Sequence, residues 1–252
     1  MENSKSIKIA IALLTMLLVS SSLVLVANTI TVTPVAANDY GDIMQYDWPV
    51  SGHDSQNTRA SPGPGPNRGD LLWTFSGLSG APPVAFDGHI WVYSRSTLYA
   101  LDPLTGEEDY SGPLNGTPAG FGSGEVAKLD DTYLGYLLTD GVAVYKISDA
   151  SFVTRYVIDS DRDGITNHVP GSIMYWVWFY DSEDKVIYAP SRTYDTNEPC
   201  AVAYDMSDPT HPYIKWVTVL STPPEALSSG GGMVYFGGYG EGEVFALNAT
   251  TG

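Results

Sequence analysis

The sequence predicts an all-β protein built from repeated units of short antiparallel strands, and its composition, internal repeats and turn chemistry carry that prediction. Gly (26), Pro (17) and Tyr (17) are plentiful in 252 residues while Lys and Arg together number 12, which favours strands and tight turns over long helices. Hydrophobic residues make up 43% of the chain, enough to bury a core. Four similar phrases recur: LYALDPLTG, VYKISDASF, VAYDMSDP and VFALNATTG, aligned on Ala100, Lys146, Ala203 and Ala246 at intervals of 46, 57 and 43 residues. A period of about 40 to 50 residues marks a unit that buries both faces of its sheet only when neighbours stack on it, as in a propeller blade.

The chain opens differently. Lys5 and Lys8 precede an uncharged apolar run from Ile9 to Ala27, and PVAAND follows, with Val35 and Ala37 placed for cleavage before Asn38. Residues 1–37 therefore read as an export signal, with a retained membrane anchor as the alternative because the run is about 20 residues long. Either reading puts residues 38–252 outside the cell, secreted or at its surface. The net charge is −17, and removing 1–37 takes away two cations and one anion, leaving about −18. Such a surface repels phosphate backbones and argues against nucleic acid as a partner. Cys200 is the only cysteine, so no disulfide can form within the sequence.

The repeat units can be read strand by strand. Asp87-Gly88 turns into the β-rich HIWVYS, a short polar link from Arg95 to Thr97 reverses it, and LYAL follows. Pro103 and Gly106 make the next reversal, since Pro presets φ and Gly accepts positive φ. The other phrases are likewise preceded by apolar segments, TYLGYLL, KVIYAPS and GMVYFGG. The run SIMYWVWFYD (Ser172 to Asp181) lacks polar alternation, as expected of a strand packed on both faces between blades. An aromatic platform for a sugar or flat cofactor is the functional alternative.

These phrases resemble the PQQ-like (pyrroloquinoline-quinone-type) β-propeller repeats, whose pattern A-x-D-x-x-T-G-x-x-x-W is met by Ala100, Asp102, Thr105 and Gly106, with Tyr110 in the place of Trp. The second copy keeps Tyr156 and carries Ser151 and Phe152 for the Thr-Gly pair. The third keeps Ala203 and Asp205 with an insertion before Trp216, and the fourth has Ala246, Asn248, Thr251 and Gly252. The lead-in from Asp47 to Phe75 is also similar to the start of such proteins. The resemblance covers roughly residues 46–252 and implies a ring of usually seven or eight blades, so about four units are expected to be part of a larger ring.

The strongest local motif is IDSDRDGITN, in which Asp159, Asp161 and Asp163 alternate before Gly164. Alternating carboxylates in a tight loop can converge on a hard cation, with the carbonyl of Ile165 and the side chain of Asn167 as further ligands, so calcium is the expected cofactor. Position 12 of the loop is Pro170, where an EF-hand needs a bidentate Glu; a solvated acidic turn is the alternative. Quinone dehydrogenases of the resembled family hold their cofactor beneath a pair of adjacent cysteines, which this sequence lacks, so the resemblance makes PQQ unexpected.

Other chemistry is poorly supported. His53, His89, His168 and His211 lack metal-ligand spacing. The glycines of GGGMVYFGGYGEGEVFA run from strand to strand, which fails the dinucleotide context. Glu107 and Glu108, and Asp130 and Asp131, read as surface charge, and Asn115 and Asn248 lie in N-x-T sequons that could equally be turns. No catalytic residue is assigned. The expected function is a non-enzymatic binding scaffold for a protein or cell-envelope component. A PQQ-dependent alcohol or sugar dehydrogenase, or a carbohydrate-binding propeller, are the alternatives.

Overall fold

The computed structural model describes residues 47–49, 60, 71–77, 82–94, 96–116, 126–138, 141–157, 170–173, 178–193, 197–238, 240 and 242–252. All of them belong to the unit Tyr40–Gly252. They form β-propeller blades, each a meander of antiparallel strands. The first blade is β1 (Val84–Phe86), β2 (His89–Tyr93), β3 (Thr97–Leu101) and β4 (Glu108–Pro113); the second is β5 (Val126–Lys128), β6 (Tyr133–Leu138), β7 (Gly141–Lys146) and β8 (Phe152–Val157). The third runs through β10 (Phe179–Asp181), β11 (Val186–Thr193), β12 (Pro199–Asp205) and β13 (Tyr213–Val219), and β9 (Pro170–Ile173) also pairs with β11. The last has β14 (Pro224–Gly230), β15 (Met233–Gly238) and β16 (Val244–Asn248).

The turns follow from the residues. Asp87 and Gly88 have φ of 52° and 79°, and Gly231 and Gly232 have 62° and 76°. Positive φ at both central residues gives a two-residue hairpin the twist of its strands. The four equivalent apolar segments become β2, β6, β11 and β15, the second strands of their blades.

The second and third blades are apolar on both faces because a neighbour covers each. Trp91, Tyr93, Leu98 and Ala100 of the first blade pack on Leu134, Tyr136, Leu138 and Tyr145 of the second. From the other face of the second blade, Leu137, Val142 and Val144 meet Ile187, Ala189, Val202 and Tyr204 of the third. Tyr188, Ala201, Ala203 and Trp216 then meet Val234, Phe236, Phe245 and Leu247 of the fourth. One buried polar pair also ties the last two blades. Ser229 in β14 donates to Asp181 Oδ2, whose Oδ1 accepts from the N–H groups of Glu183 (3.0 Å) and Asp184 (3.2 Å).

Two sequence expectations need correction. The run Ser172 to Asp181 is not one strand in its described residues: its ends fall in β9 and β10, which pair with different stretches of β11. Packing on both faces holds at Trp178 to Tyr180, where Trp178 and Tyr180 face the second blade and Phe179 faces the fourth. The alignment of the second phrase on Lys146 is two residues out of register. A ladder irregularity follows Ala100, Val144 and Ala203, and Ala100 and Ala203 stand opposite Tyr110 and Trp216 where Val144 stands opposite Thr154. Val144 is the true equivalent, giving intervals of 44 and 59 residues. The Thr-Gly pair then corresponds to Asp149-Ala150, not Ser151-Phe152, and Tyr156 lies beyond the aromatic position. Without its carboxylate and glycine, that turn had no signature for the sequence to align.

Candidate interaction surface

The expected calcium ligands Asp159, Asp161, Asp163, Ile165 and Asn167 lie outside the described residues, as do His53 and His168. Among the described residues no group of three or more His, Cys, Asp or Glu side chains gathers as a metal site. His89 and His211 belong to different blades. His89 Nε2 lies 3.3 Å from Asp109 Oδ2, and His211 Nδ1 lies 3.0 Å from Asp208 Oδ2. Glu108 accepts from the Ser111 hydroxyl at 2.7 Å, Asp130 holds the N–H groups of Thr132 and Tyr133, and Asp131 pairs with Lys128. These carboxylates serve turns and surface pairs. Cys200 is buried, which pushes its thiol up to about 12 and keeps it protonated.

The recurring phrase builds a docking turn. After β3, Asp102 Oδ1 accepts the N–H groups of Leu104 (2.8 Å) and Thr105 (2.7 Å), while its carbonyl accepts Gly106 N–H at 2.8 Å. After β16, Asn248 makes the same set with Thr250 (2.9 Å), Thr251 (3.1 Å) and Gly252 (2.9 Å). Asn248 is thus a turn residue, as one of its two sequence readings holds. The backbone N–H groups hold the Asp102 carboxyl below its ordinary range. That stability is present above the ordinary pKa and is lost as pH falls through the lowered one. Asp102→Ala is expected to cost about 1 kcal/mol, and Asp102→Asn much less because Asn248 does the same work; urea unfolding of both variants checks this.

Each such turn receives an aromatic from the strand on its far side. Trp216 Nε1 donates to the Ala249 carbonyl at 3.1 Å, with its ring beside Gly252, and Tyr110 hydroxyl donates to the Ile147 carbonyl at 2.8 Å. Trp73 Nε1 donates to the Pro103 carbonyl at 3.0 Å, with its ring against Gly106. Pro103, Ile147 and Ala249 are equivalent positions. Trp73 therefore sits where the outermost strand of a preceding blade puts its aromatic. The second blade has Thr154 at this position, and the junction is held instead by Tyr180, whose hydroxyl donates to the Leu129 carbonyl at 2.8 Å.

These hydroxyls predict an alkaline limit. Burial, reinforced by the carboxylates of Asp87, Asp109 and Asp149, raises Tyr110 from 10.0 to about 12, and burial likewise raises Tyr180 and Tyr188. A raised folded-state pKa gives stability that is full below the ordinary value and is lost as pH rises from 10.0 toward about 12. Exposed tyrosines such as Tyr213 and Tyr235 ionise without loss of structure, whereas the part of the tyrosinate absorbance lost in Tyr110→Phe, Tyr180→Phe and Tyr188→Phe is expected to appear together with loss of circular dichroism in that window. Ionisation of that part well before loss of structure would contradict the burial argument.

The last blade exposes what the others cover. Leu98, Val142 and Ala201 occupy one equivalent position and are 0% exposed, whereas Val244, at that position in β16, is 75% exposed. Trp91 and Tyr188 are buried, and their equivalent Tyr235 is 41% exposed. Ala246 is exposed where Ala100, Val144 and Ala203 are buried. Among the described residues β16 has no fourth strand on its outer edge. Among the described residues Tyr235, Val244 and Ala246 thus form an apolar face beside the unpaired edge of β16, with the chemistry and backbone hydrogen-bonding capacity to receive a further strand or sheet. Val244 and Ala246 repeat the pattern of Leu98 and Ala100, so the sequence marks a face that needs a cover without showing that it is uncovered.

No family model matches this chain. No curated protein matches it either. Its fold is similar to solved structures, among them Sqt1 of Saccharomyces cerevisiae, with TM-score 0.46 and 14% identity over 65% of this chain and 43% of that one. BamB from Moraxella catarrhalis aligns with TM-score 0.38 and 14% identity over 71% of this chain and 52% of that one. A chain of a nidogen/laminin complex gives TM-score 0.39 and 11% identity over 64% and 56%. Each is a likeness of fold alone, and this chain spans about half of their length.

Proposed function

We propose that this chain is an exported or surface-anchored propeller of the PQQ-like repeat type that acts as a protein-binding scaffold, without catalysis of its own. The observation that carries the reading is the apolar face of the fourth blade, Tyr235, Val244 and Ala246, beside the edge of β16, a surface that suits a protein partner and equally a further blade of the same chain. The basic, apolar and small-residue pattern of residues 1–37 supports export. Val244→Glu and Tyr235→Glu place charge on positions already exposed, so they are expected to leave the fold intact and abolish protein association. Association unchanged by both variants, together with turnover of an alcohol or sugar after addition of PQQ and calcium, would overturn the reading in favour of a dehydrogenase.

Calcium binding by Asp159, Asp161, Asp163, Ile165 and Asn167 is part of the same proposal, as a brace within the link between β8 and β9. Calcium at about one hundred times its dissociation constant is expected to add about 2.7 kcal/mol of stability. Asp161→Asn should remove most of that gain. A melting temperature indifferent to calcium and to chelator would leave the loop as an acidic turn.

A further inference from the structure

We propose that Asn248 is a glycosylation site: its side-chain Nδ2 carries an oligosaccharide attached during export, while its Oδ1 goes on holding the turn after β16. This rests on the reading of residues 1–37 as an export segment. It assigns one of the two N-x-T sequons, Asn248-Ala249-Thr250, over the other, Asn115-Gly116-Thr117.

The first argument is the division of labour within the Asn248 side chain. Oδ1 accepts the N–H groups of Thr250 at 2.9 Å and Thr251 at 3.1 Å. Among the described residues no group accepts from Nδ2, and Asn248, Thr250 and Thr251 are all exposed. Asp102 and Asp205 hold the equivalent turns with a carboxylate. The turn therefore needs an acceptor and not an amide nitrogen, and Asn248 offers both.

The second argument is that this position faces solvent in complete blades too. Each such turn packs on the blade before its own: Ile147 and Ala150 join the layer between the first and second blades, Met206 that between the second and third, and Ala249 that between the third and fourth. Asn248 thus already has the neighbours that bury its turn. At Asp205, whose sheet has its outer strand, the second carboxylate oxygen corresponds to Nδ2. Among the described residues it meets the hydroxyl of Tyr213 at 3.0 Å, and Tyr213 is itself 52% exposed. The other sequon is less open. Asn115 Nδ2 donates to the Pro113 carbonyl at 3.4 Å, its backbone N–H is held by the Tyr145 hydroxyl at 2.9 Å, and a Cβ on Gly116 would come 2.5 Å from Leu138. Pro118 follows directly and restricts the backbone of Thr117.

The donor is an oligosaccharide joined through C1 to a lipid diphosphate. Nδ2 bonds to C1, the C1–O bond breaks with its electron pair leaving on the diphosphate, and Nδ2 gives up one of its two protons. Oδ1 is untouched, so the turn survives. Transfer to the emerging chain precedes the burial of Ala249, which is 3% exposed in the folded protein.

The test is peptide mapping by mass spectrometry of the full chain purified from its own cells, unaltered and as Asn248→Asp and Thr250→Ala. Asp keeps the turn acceptor, as Asp102 and Asp205 show, and Thr250→Ala keeps the N–H that the turn uses while removing the hydroxyl that the sequon requires. The inference expects sugar mass on the peptide spanning Asn248, its complete loss in both variants, and unchanged circular dichroism. Protein recovered outside the cytoplasm with a bare Asn248, whether or not Asn115 is modified, would overturn the inference and keep the export reading. Protein retained in the cytoplasm with both sequons bare would overturn both. Sugar on that peptide that persists in Thr250→Ala would be attached by a route other than the sequon and would also overturn the inference.

Discussion

Trp216→Ala is expected to destabilise the protein by about 3–5 kcal/mol, the range for removing a buried Trp. The side chain is 5% exposed and packs between Ala203 on its own sheet and the apolar layer of Val234, Phe236 and Ala249. Its ring is tilted against Tyr188 at 5.8 Å. Truncation removes that contact area and opens a cavity between the third and fourth blades. It also deprives the Ala249 carbonyl of its indole partner at 3.1 Å, although Tyr188 hydroxyl still reaches the same oxygen at 3.4 Å. Trp216→Phe separates the contributions. It keeps most of the packing and loses the N–H donor, so its cost should be about 1 kcal/mol. Urea unfolding followed by circular dichroism measures both, and an alanine variant no worse than the phenylalanine one would show that the blade junction does not depend on this ring.

Gly106→Ala should be nearly as harmful for two separable reasons. Gly106 has φ of 69°, a left-handed conformation that costs an ordinary residue about 1–2 kcal/mol. A Cβ there would also come 2.4 Å from the Trp73 ring, and such overpacking typically adds about 1–3 kcal/mol. The second blade shows how the same turn accommodates a side chain. Ala150 stands at the equivalent position with φ of 54°, and the strand over it carries Gly112, where a Cβ would come 2.0 Å from the Ala150 carbonyl oxygen. Space missing from one partner is supplied by the other. In the Trp73→Ala background the added cost of Gly106→Ala should accordingly shrink to the backbone part alone. Equal costs in both backgrounds would mean that the ring does not press on the turn.

Much of the fold was legible in the sequence for reasons these variants probe. Asp102, Thr105 and Gly106 had to lie together in one turn, because an acceptor side chain, two free N–H groups and a positive φ are needed within five residues. The short apolar segments before each phrase read as strands, and the run from Ser172 to Asp181, without polar alternation, already pointed to sheets packed on both faces. The same logic failed at the second blade. The Lys146 side chain cannot accept the following N–H groups as Asp102 does; its carbonyl still takes the Ala150 N–H at 3.0 Å, and the turn is further held by Asp149, which takes the Ser151 N–H at 2.9 Å. Only the pairing of Val144 with Thr154 identified the equivalent residues.

The sequence by itself determined local matters: an all-β chain, the turns at Asp87-Gly88 and Pro103 to Gly106, a repeat of blade length, and the acidic charge of −17. Each depends on residues close together in the chain, so pattern and propensity suffice. The tertiary structure decided which carbonyl each aromatic seeks, that Trp73 serves as an outer-strand aromatic for the first blade, and that Val244 and Tyr235 lie uncovered where Leu98 and Trp91 are buried. Those facts concern groups from different blades. A residue's burial depends on what packs above it, and identical apolar patterns in β3 and β16 cannot reveal which of the two has a neighbour.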